Sequence, residues 1–270
     1  MSHKEQEIYF SLLNREKTVV SINQLSGMNR GYARKMLFSL NKKGALYRIA
    51  KGCYIVIPPD MMANPLKFIN DPYLVLDQLM EIFDEKYYVG YQSAAQLHGI
   101  AEQMPLSVSV VVLNQRRPLH FGNQRIDFRK ASKSKFFGEE RIKYSDSFLN
   151  ISDKEKTIID CLERYDLCGG IDEVARTISN ALEDINGKKL VEYLKRFGNQ
   201  PLLQRMGFIL DRLLQNGFDI DKELLKDMEK LVGGRVYYLD PKMKEKGRMD
   251  RYSKRWKMVE NVDPISWLHV

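Results

Sequence analysis

The 270-residue sequence predicts an α+β protein with a small N-terminal domain and a larger mixed α/β C-terminal domain whose second half is mainly helical. Three observations predict this class. Apolar residues recur at helical spacing near the N-terminus and again after residue 152. Between these regions, Val108 to Leu113 is rich in β-branched residues, which is typical of a strand covered on both faces. Several prolines between residues 58 and 72 indicate a domain boundary.

The first 57 residues predict three helices followed by two strands. Glu5 to Leu13 carries an apolar stripe typical of an amphipathic helix. Ser21 suits the N-cap of a short second helix that ends at Gly27. A third helix opens at Asn29, and its apolar positions recur at helical spacing; they are Ala33, Met36, Leu37 and Leu40. Lys51-Gly52 then joins two strands as a tight turn.

This order of elements is typical of a winged helix-turn-helix, a fold that places its last helix in the major groove of DNA. An inserted helix contacts bases through its N-terminal half while its rear face packs on the protein. Arginine and lysine can bind guanine edges or phosphates. Asn29 can bind adenine or cap the helix, and capping is the preferred interpretation. The candidate DNA-binding residues are Asn29, Arg30, Tyr32, Arg34, Lys35, Lys42, Lys43, Arg48 and Lys51.

Lys42 and Lys43 have a second explanation, because cations at the end of a helix also stabilise its macrodipole. For any one of the basic residues, a solvated surface is an equally good interpretation. The distribution of charge favours DNA. Residues 1 to 60 hold ten Lys and Arg against four Asp and Glu, and residues 235 to 257 hold nine against three. The rest of the chain is slightly acidic, so the basicity is concentrated, as in proteins that bind polyanions.

The chain after the boundary predicts a mixed region, then a helical one, then a basic tail. Helices are predicted over 72–83 and 92–98, with strands at 87–90, 108–113, 124–128 and 141–144. Ser152 to Glu155 is a capping-box pattern before a helix. Further helices are predicted over 171–182, 188–197, 201–215 and 221–231, and strands over 235–239 and 256–259. The predicted divisions are 1–60, a linker at 61–71, and 72–270, which is subdivided into 72–150, 151–232 and 233–270.

Composition excludes several functional classes. No apolar run reaches the eighteen residues of a membrane helix, and the N-terminus has no secretory h-region, so a cytoplasmic protein without membrane partners is expected. Cys53, Cys161 and Cys168 form no C-x-x-C pair, so buried thiols are expected in place of a zinc site or disulfides.

No catalytic or cofactor site is predicted either. His98 before Gly99 is the most enzyme-like position, but a single histidine without nearby ligands is more often structural. Asp219 and Asp221 resemble paired metal ligands, although Asp221 also suits an N-cap. Gly169-Gly170 and Gly233-Gly234 lack the context of a phosphate-binding loop, and Glu139-Glu140 suits a charged turn. We therefore expect a protein that is not an enzyme and needs no cofactor.

Several phrases resemble the AbiE-type antitoxin and transcriptional-regulator family of type IV toxin–antitoxin, or abortive infection, systems. They occur in that family's order, and they are KGCYIVI, YYVGYQSAAQLHGI, SVSVVV, ISDKEKTIIDCLERYDLCGGIDEVA, RVYYLDP and KRWKMVEN. The resemblance implies a repressor that binds inverted repeats in its own promoter through an N-terminal winged helix. It also implies a C-terminal domain that counters a nucleotidyltransferase-like toxin from a neighbouring gene, without implying direct contact with that toxin.

A second function is compatible with the same residues. The winged helix would then be a scaffold, and the basic ends of the chain would bind RNA or an acidic protein without promoter recognition.

Overall fold

The computed structural model describes residues 1–15, 17–25, 27–65, 71–243 and 251–269. These residues form a mixed α+β fold, as predicted from the sequence. They divide into two compact units: Met1–Tyr88, Leu106–Ala131 and Arg141–Asn150 form the first, and Val89–Pro105, Ser132–Glu140 and Ile151–Val270 form the second. The predicted divisions at residues 60 and 72 stay a prediction, and residues 66–70 of the predicted linker lie outside the described chain.

The first unit begins with a helix, a strand, a second helix and two further strands. The bounds are α1 His3–Leu13, β1 Val19–Ser21, α2 Arg30–Lys42, β2 Leu46–Ala50 and β3 Cys53–Val56. The strands form an antiparallel sheet in the order β1-β3-β2. Gly52 makes the β2–β3 turn with φ +77°, a conformation that L side chains rarely adopt. Helix α3 spans Tyr73–Ile82.

Both faces of this small sheet are buried. Because side chains alternate along a strand, Tyr54 and Val56 of β3 join the core formed with α1 and α2, whereas Cys53, Ile55 and Ile57 point to the other face. That other face packs on Val75 and Leu79 of α3. The sheet is therefore held between α2 and α3.

The second helix, predicted between Ser21 and Gly27, is not an α-helix. Ile22–Gln24 forms a single 3-10 turn. Ser21, the last residue of β1, lies at its N-cap position as predicted, and its backbone N–H donates to the Gln24 side chain at 2.9 Å. Val19 and Val20 pair with Ile55 and Tyr54 of β3. β-branched residues suit a strand, and this strand precedes the predicted helix. Ser26 lies outside the described residues.

A six-stranded sheet follows. Its strands are β4 Tyr87–Val89, β5 Val108–Val112, β6 Leu119–Phe121, β7 Gln124–Lys130, β8 Glu139–Tyr144 and β9 Ser147–Ser152. Their order in the sheet is β6-β7-β5-β4-β9-β8. All five side chains of β5 are buried, as the β-branched run predicted. Strands β6 and β9 lack a clear sequence signal, because β6 is short and β9 directly precedes a helix. Glu139-Glu140 opens β8 and is not a turn.

The second unit is mainly helical. Its helices are α4 Tyr91–Leu97, α5 Lys154–Glu163, α6 Ile171–Ala181, α7 Gly187–Phe197, α8 Gln200–Gln215 and α9 Lys222–Glu229. The predicted capping box is displaced by one residue: Asp153 caps α5 by accepting from Lys156 N at 2.8 Å, and Ser152 ends β9. None of the helices within the described ranges is long and apolar enough to cross a membrane.

The C-terminal segment includes a final strand, as predicted, although this strand begins at Met258 and not at Trp256. It forms a sheet of β10 Tyr237–Tyr238, β11 Arg251–Ser253 and β12 Met258–Glu260. Trp256, predicted to lie in the last strand, precedes it and is fully buried. Its ring covers the backbone of α8 at Gly207, where an added Cβ would lie 2.1 Å from the indole. Residues 244–250 of the predicted basic tail lie outside the described chain.

Gly207→Ala should destabilise the protein by about 1–3 kcal/mol, because the added methyl group overpacks a buried contact. Gly187→Ala is the matched control, since the Cβ there meets Leu224 at an ordinary 3.4 Å. Urea denaturation followed by circular dichroism measures both variants. Equal midpoints for the two would contradict the tight Trp256 contact.

Glu5 of α1 is buried and receives hydrogen bonds from Lys43 Nζ at 2.5 Å and Ser39 Oγ at 2.6 Å. Lys43, Ser39 and the Ser2 backbone N–H lower the pKa of Glu5 from 4.5 to about 2. A carboxylate with a lowered pKa stabilises the fold above its unfolded pKa and loses that effect as pH falls through its folded pKa. Glu5→Gln should therefore destabilise the protein at pH 7, and the difference from wild type should shrink between pH 4.5 and 2.

Chemical denaturation at pH 7 and at about pH 3 tests this expectation. Glu7→Gln is the control on the same helix, because Glu7 is exposed and bonds only His3 among the described residues. A constant difference between Glu5→Gln and wild type at both pH values would show that the ion pair does not carry the effect.

Candidate nucleic-acid interface

Helix α2 presents one basic face and one apolar face. Ala33, Met36, Leu37 and Leu40 are buried in the core of the first unit, as their spacing predicted. Asn29 caps the helix, its side chain accepting from Gly31 N at 2.9 Å. The predicted DNA-binding residues on α2 and on the β2–β3 hairpin are all exposed; they are Asn29, Arg30, Tyr32, Arg34, Lys35, Lys42, Lys43, Arg48 and Lys51.

Five of these nine residues line a single groove of about 780 Å³ in the first unit. Helix α2 contributes three of them, about one turn or less apart, and the hairpin contributes the other two. The period of two along β2 places Arg48 on the same face as Leu46, toward α2. The five residues that form this basic groove are Arg30, Arg34, Lys35, Arg48 and Lys51.

The cations of the basic groove are available for a ligand. No described carboxylate lies within ion-pair distance of Arg30, Arg34, Lys35 or Lys51. Arg48 Nε donates to the Ala50 carbonyl at 3.3 Å, and no described residue accepts a hydrogen bond from its other guanidinium N–H groups. The local field is therefore positive and uncompensated, and it favours binding of an anion.

The other four predicted DNA-binding residues do not line the basic groove. Lys43 forms the ion pair with Glu5, so its position is explained by the contact between α1 and α2. Lys42 Nζ lies 4.9 Å from the centre of the Phe38 ring. Asn29 acts as a cap, and Tyr32 is 40% exposed.

Sequence reasoning misses the apolar wall of the groove. Phe38 is 54% exposed although it lies on α2, one turn after Arg34. A helical projection places Phe38 on the basic face, so the sequence carries a signal for it. Ile82 and Phe83 also line the groove, but they come from the end of α3. Only the packing of α3 on the small sheet brings them there.

The basic groove suits a large polyanion with apolar edges. Arginine and lysine bind phosphates or the acceptor atoms of guanine, and an aromatic ring contacts a base or a thymine methyl group. Within the described chain, no group of three or more His, Cys, Asp or Glu residues is placed to hold a metal ion.

The other chemical candidates have structural contacts. His98 lies 2.7 Å from the Ser152 carbonyl through its Nε2 atom. Asp221 caps α9 by accepting a hydrogen bond from Glu223 N at 2.8 Å. This agrees with the predicted N-cap, which was the alternative to a role in metal binding. The three cysteines are free and buried, which agrees with the expectation of buried thiols. Burial raises the pKa of the Cys53 thiol.

A solved structure shares the fold of this chain. Over 98% of its length, the chain is similar in fold to the RV2827C protein from Mycobacterium tuberculosis, with a TM-score of 0.67, 16% identity and 94% of that chain covered. At this identity the likeness shows the fold alone. No curated protein matches the sequence.

A protein family matches part of the sequence. Residues 88–212 match the family model of the AbiEi antitoxin C-terminal domain. This match covers the YYVGYQSAAQLHGI phrase from its second residue, together with the SVSVVV and ISDKEKTIIDCLERYDLCGGIDEVA phrases. The resemblance of the chain to AbiE-type antitoxins is therefore confirmed over residues 88–212.

Proposed function

We propose that the first unit contains a winged helix-turn-helix that binds double-stranded promoter DNA and represses the protein's own operon. The observation that carries this proposal is the basic groove, where three cations of α2 and two of the hairpin converge without described carboxylate partners. In this proposal α2 enters the major groove and the β2–β3 hairpin is the wing. The operator consists of inverted repeats, so two copies of the chain bind at one site.

The AbiEi domain supports an antitoxin role in a toxin–antitoxin system. We propose that the toxin resembles a nucleotidyltransferase and is encoded by a neighbouring gene. Antitoxins of this family are generally not enzymes, and no catalytic role is proposed for this chain. Neutralisation in this proposal does not require direct contact with the toxin, and both activities operate in the cytoplasm.

Replacing Arg34 and Lys35 together with alanine should abolish specific binding to the DNA upstream of the gene. Both side chains line the basic groove and are exposed, so the fold should be retained. If both bind phosphates, the slope of log K against log salt should fall by about 1.8 for all sequences. If they bind bases instead, mainly the affinity for the cognate site should fall. Fluorescence anisotropy at several salt concentrations separates the two cases.

Lys188→Ala with Lys195→Ala is the matched control, because it removes two exposed cations from one helix of the second unit. Promoter binding by this control should equal that of wild type. If the Arg34/Lys35 double variant also bound promoter DNA normally, α2 would not be the recognition helix. Binding to RNA but not to promoter DNA by the wild-type chain would favour the scaffold function.

The two proposed activities should separate in the cell. The Arg34→Ala/Lys35→Ala chain should fail to repress a promoter–reporter fusion but should still restore growth when the neighbouring toxin is expressed. The reason is that the altered residues lie outside the antitoxin domain match at 88–212. Reporter activity and colony counts measure the two effects in one strain. Loss of both activities in a variant of normal abundance would contradict this separation.

A further inference from the structure

Arg117 is the sequence neighbour of Arg116, which contacts a residue of the basic groove. It belongs to the loop Asn114–Pro118, which connects β5 and β6 in the first unit. The groove residue that Arg116 contacts is Phe83. Phe83 receives a hydrogen bond at its carbonyl oxygen from Arg116 Nη2 at 3.0 Å, and the Arg116 guanidinium lies 4.5 Å from the centre of the Phe83 ring.

A buried carboxylate fixes the other end of this loop. Glu85 Oε1 accepts hydrogen bonds from Leu113 N at 3.1 Å and Asn114 N at 3.0 Å, and Glu85 Oε2 accepts from the Asn114 amide at 3.0 Å. The Glu85 side chain is 2% exposed. The contacts with Asn114, Leu113 and Arg116 lower the pKa of Glu85 against the opposing effect of burial. Glu85 therefore stays ionised and holds the loop at neutral pH.

The strand after the loop also contacts the wing. Leu119 of β6 packs against the core that includes Ile49 of β2 and Ile55 of β3. The loop is thus held at Phe83 on one side and at the wing sheet on the other. Its position relative to the basic groove is set by packing within one unit.

Within this loop the two arginines differ in availability. Arg116 is engaged by Phe83 and Glu85 and is 28% exposed at its side chain. Arg117 is exposed, and no described carboxylate lies within ion-pair distance of it. Arg116 is therefore a positioning residue, and Arg117 is a cation available to an external anion.

We propose that the DNA-binding surface continues beyond the winged helix onto the Asn114–Pro118 loop, where Arg117 binds a backbone phosphate of the duplex. This inference rests on the proposed promoter binding and adds a contact from a loop that follows the wing by more than fifty residues. A phosphate contact is inferred because Arg117 is exposed, does not belong to α2, and follows Arg116, which contacts the groove residue Phe83. The base-reading residues remain those of α2.

The test compares Arg117→Ala with Lys143→Ala in the full chain. Lys143 is exposed on β8, the edge of the six-stranded sheet opposite to β6, and its replacement removes the same charge. Five strand spacings separate those edges by about 24 Å. Affinity for the upstream DNA and for a scrambled duplex of equal length is measured by anisotropy between about 50 and 200 mM salt. Thermal denaturation checks the fold of each variant.

Arg117→Ala should weaken binding to both duplexes by a similar factor, about three- to tenfold at about 50 mM salt. Its salt slope should fall by about 0.9, so that its decrease in affinity between about 50 and 200 mM salt is about 3.5-fold smaller than that of wild type. Arg117→Lys should restore most of the affinity, since either cation binds a phosphate. Lys143→Ala should bind like wild type.

If Arg117→Ala and Lys143→Ala both keep wild-type affinity and slope while Arg34→Ala/Lys35→Ala no longer binds, the loop contact is overturned and the proposed function stands. A weakening confined to the cognate duplex, with no rescue by lysine, would also overturn the phosphate contact. If the wild-type chain does not bind the upstream DNA, promoter recognition itself fails, and the loop contact fails with it.

Discussion

The burial of the small β1-β3-β2 sheet on both faces is the constraint on which the basic groove depends. Alternate side chains of β3 point to α1 and α2 on one side and to α3 on the other. A three-stranded sheet covered on one side only would expose Ile55 and Leu79, each of which is fully buried here. Burying an aliphatic side chain of this size stabilises the fold by about 1.5–3 kcal/mol. The same packing sets the distance between Arg34 of α2 and Lys51 of the hairpin.

Polar contacts between the β1 region and α3 orient the small sheet against that helix. Lys17 binds Glu81 of α3 at 2.6 Å, and the Gln78 side chain accepts a hydrogen bond from Val19 N at 2.9 Å. The Lys17 pair is exposed and contributes little free energy. The Gln78 contact satisfies a backbone donor at the outer edge of β1, where an unpaired N–H is costly. The sheet therefore has one preferred register against α3, and the hairpin turn has one preferred position.

Local patterns predict those parts of the fold that depend on neighbouring residues. The inward face of α2 follows from helical periodicity, and the hairpin turn follows from Gly52, whose positive φ excludes most other residues. Strand β1 escapes prediction because a strand this short carries too little periodicity, and its conformation is decided by pairing with the distant β3. The predicted place of Trp256 in a strand is wrong for a similar reason. Its position depends on Gly207 of α8, which is also distant in the chain.

The residues of the candidate site also differ in this respect: local patterns predict some of them, and tertiary packing alone places the others. Five predicted cations meet in the basic groove because they lie on two elements whose faces can be assigned from the sequence. Lys43 is a candidate by its charge, but its ion pair with the buried Glu5 depends on how α1 crosses α2. Phe83 and Arg116 carry no local signal, since only tertiary packing brings Phe83 to the groove and Arg116 to Phe83. Charge alone therefore identifies candidates, and tertiary contacts decide which of them face a ligand together.

The segment that matches the AbiEi domain extends into the unit that holds the basic groove. Arg116 lies inside residues 88–212, whereas Phe83, which it contacts, precedes that segment. Deleting residues 88–212 would remove Arg116 and leave Phe83 without the group that holds its carbonyl and covers its ring. Removing residues 1–60 would uncover Val75 and Leu79 of α3. Neither deletion would isolate one of the two proposed activities, because each exposes a surface that the other part of the first unit covers. Exposed side chains can be changed one at a time without disturbing the two buried faces of the small sheet. They are therefore the better means of testing the proposed DNA binding separately from the proposed antitoxin role.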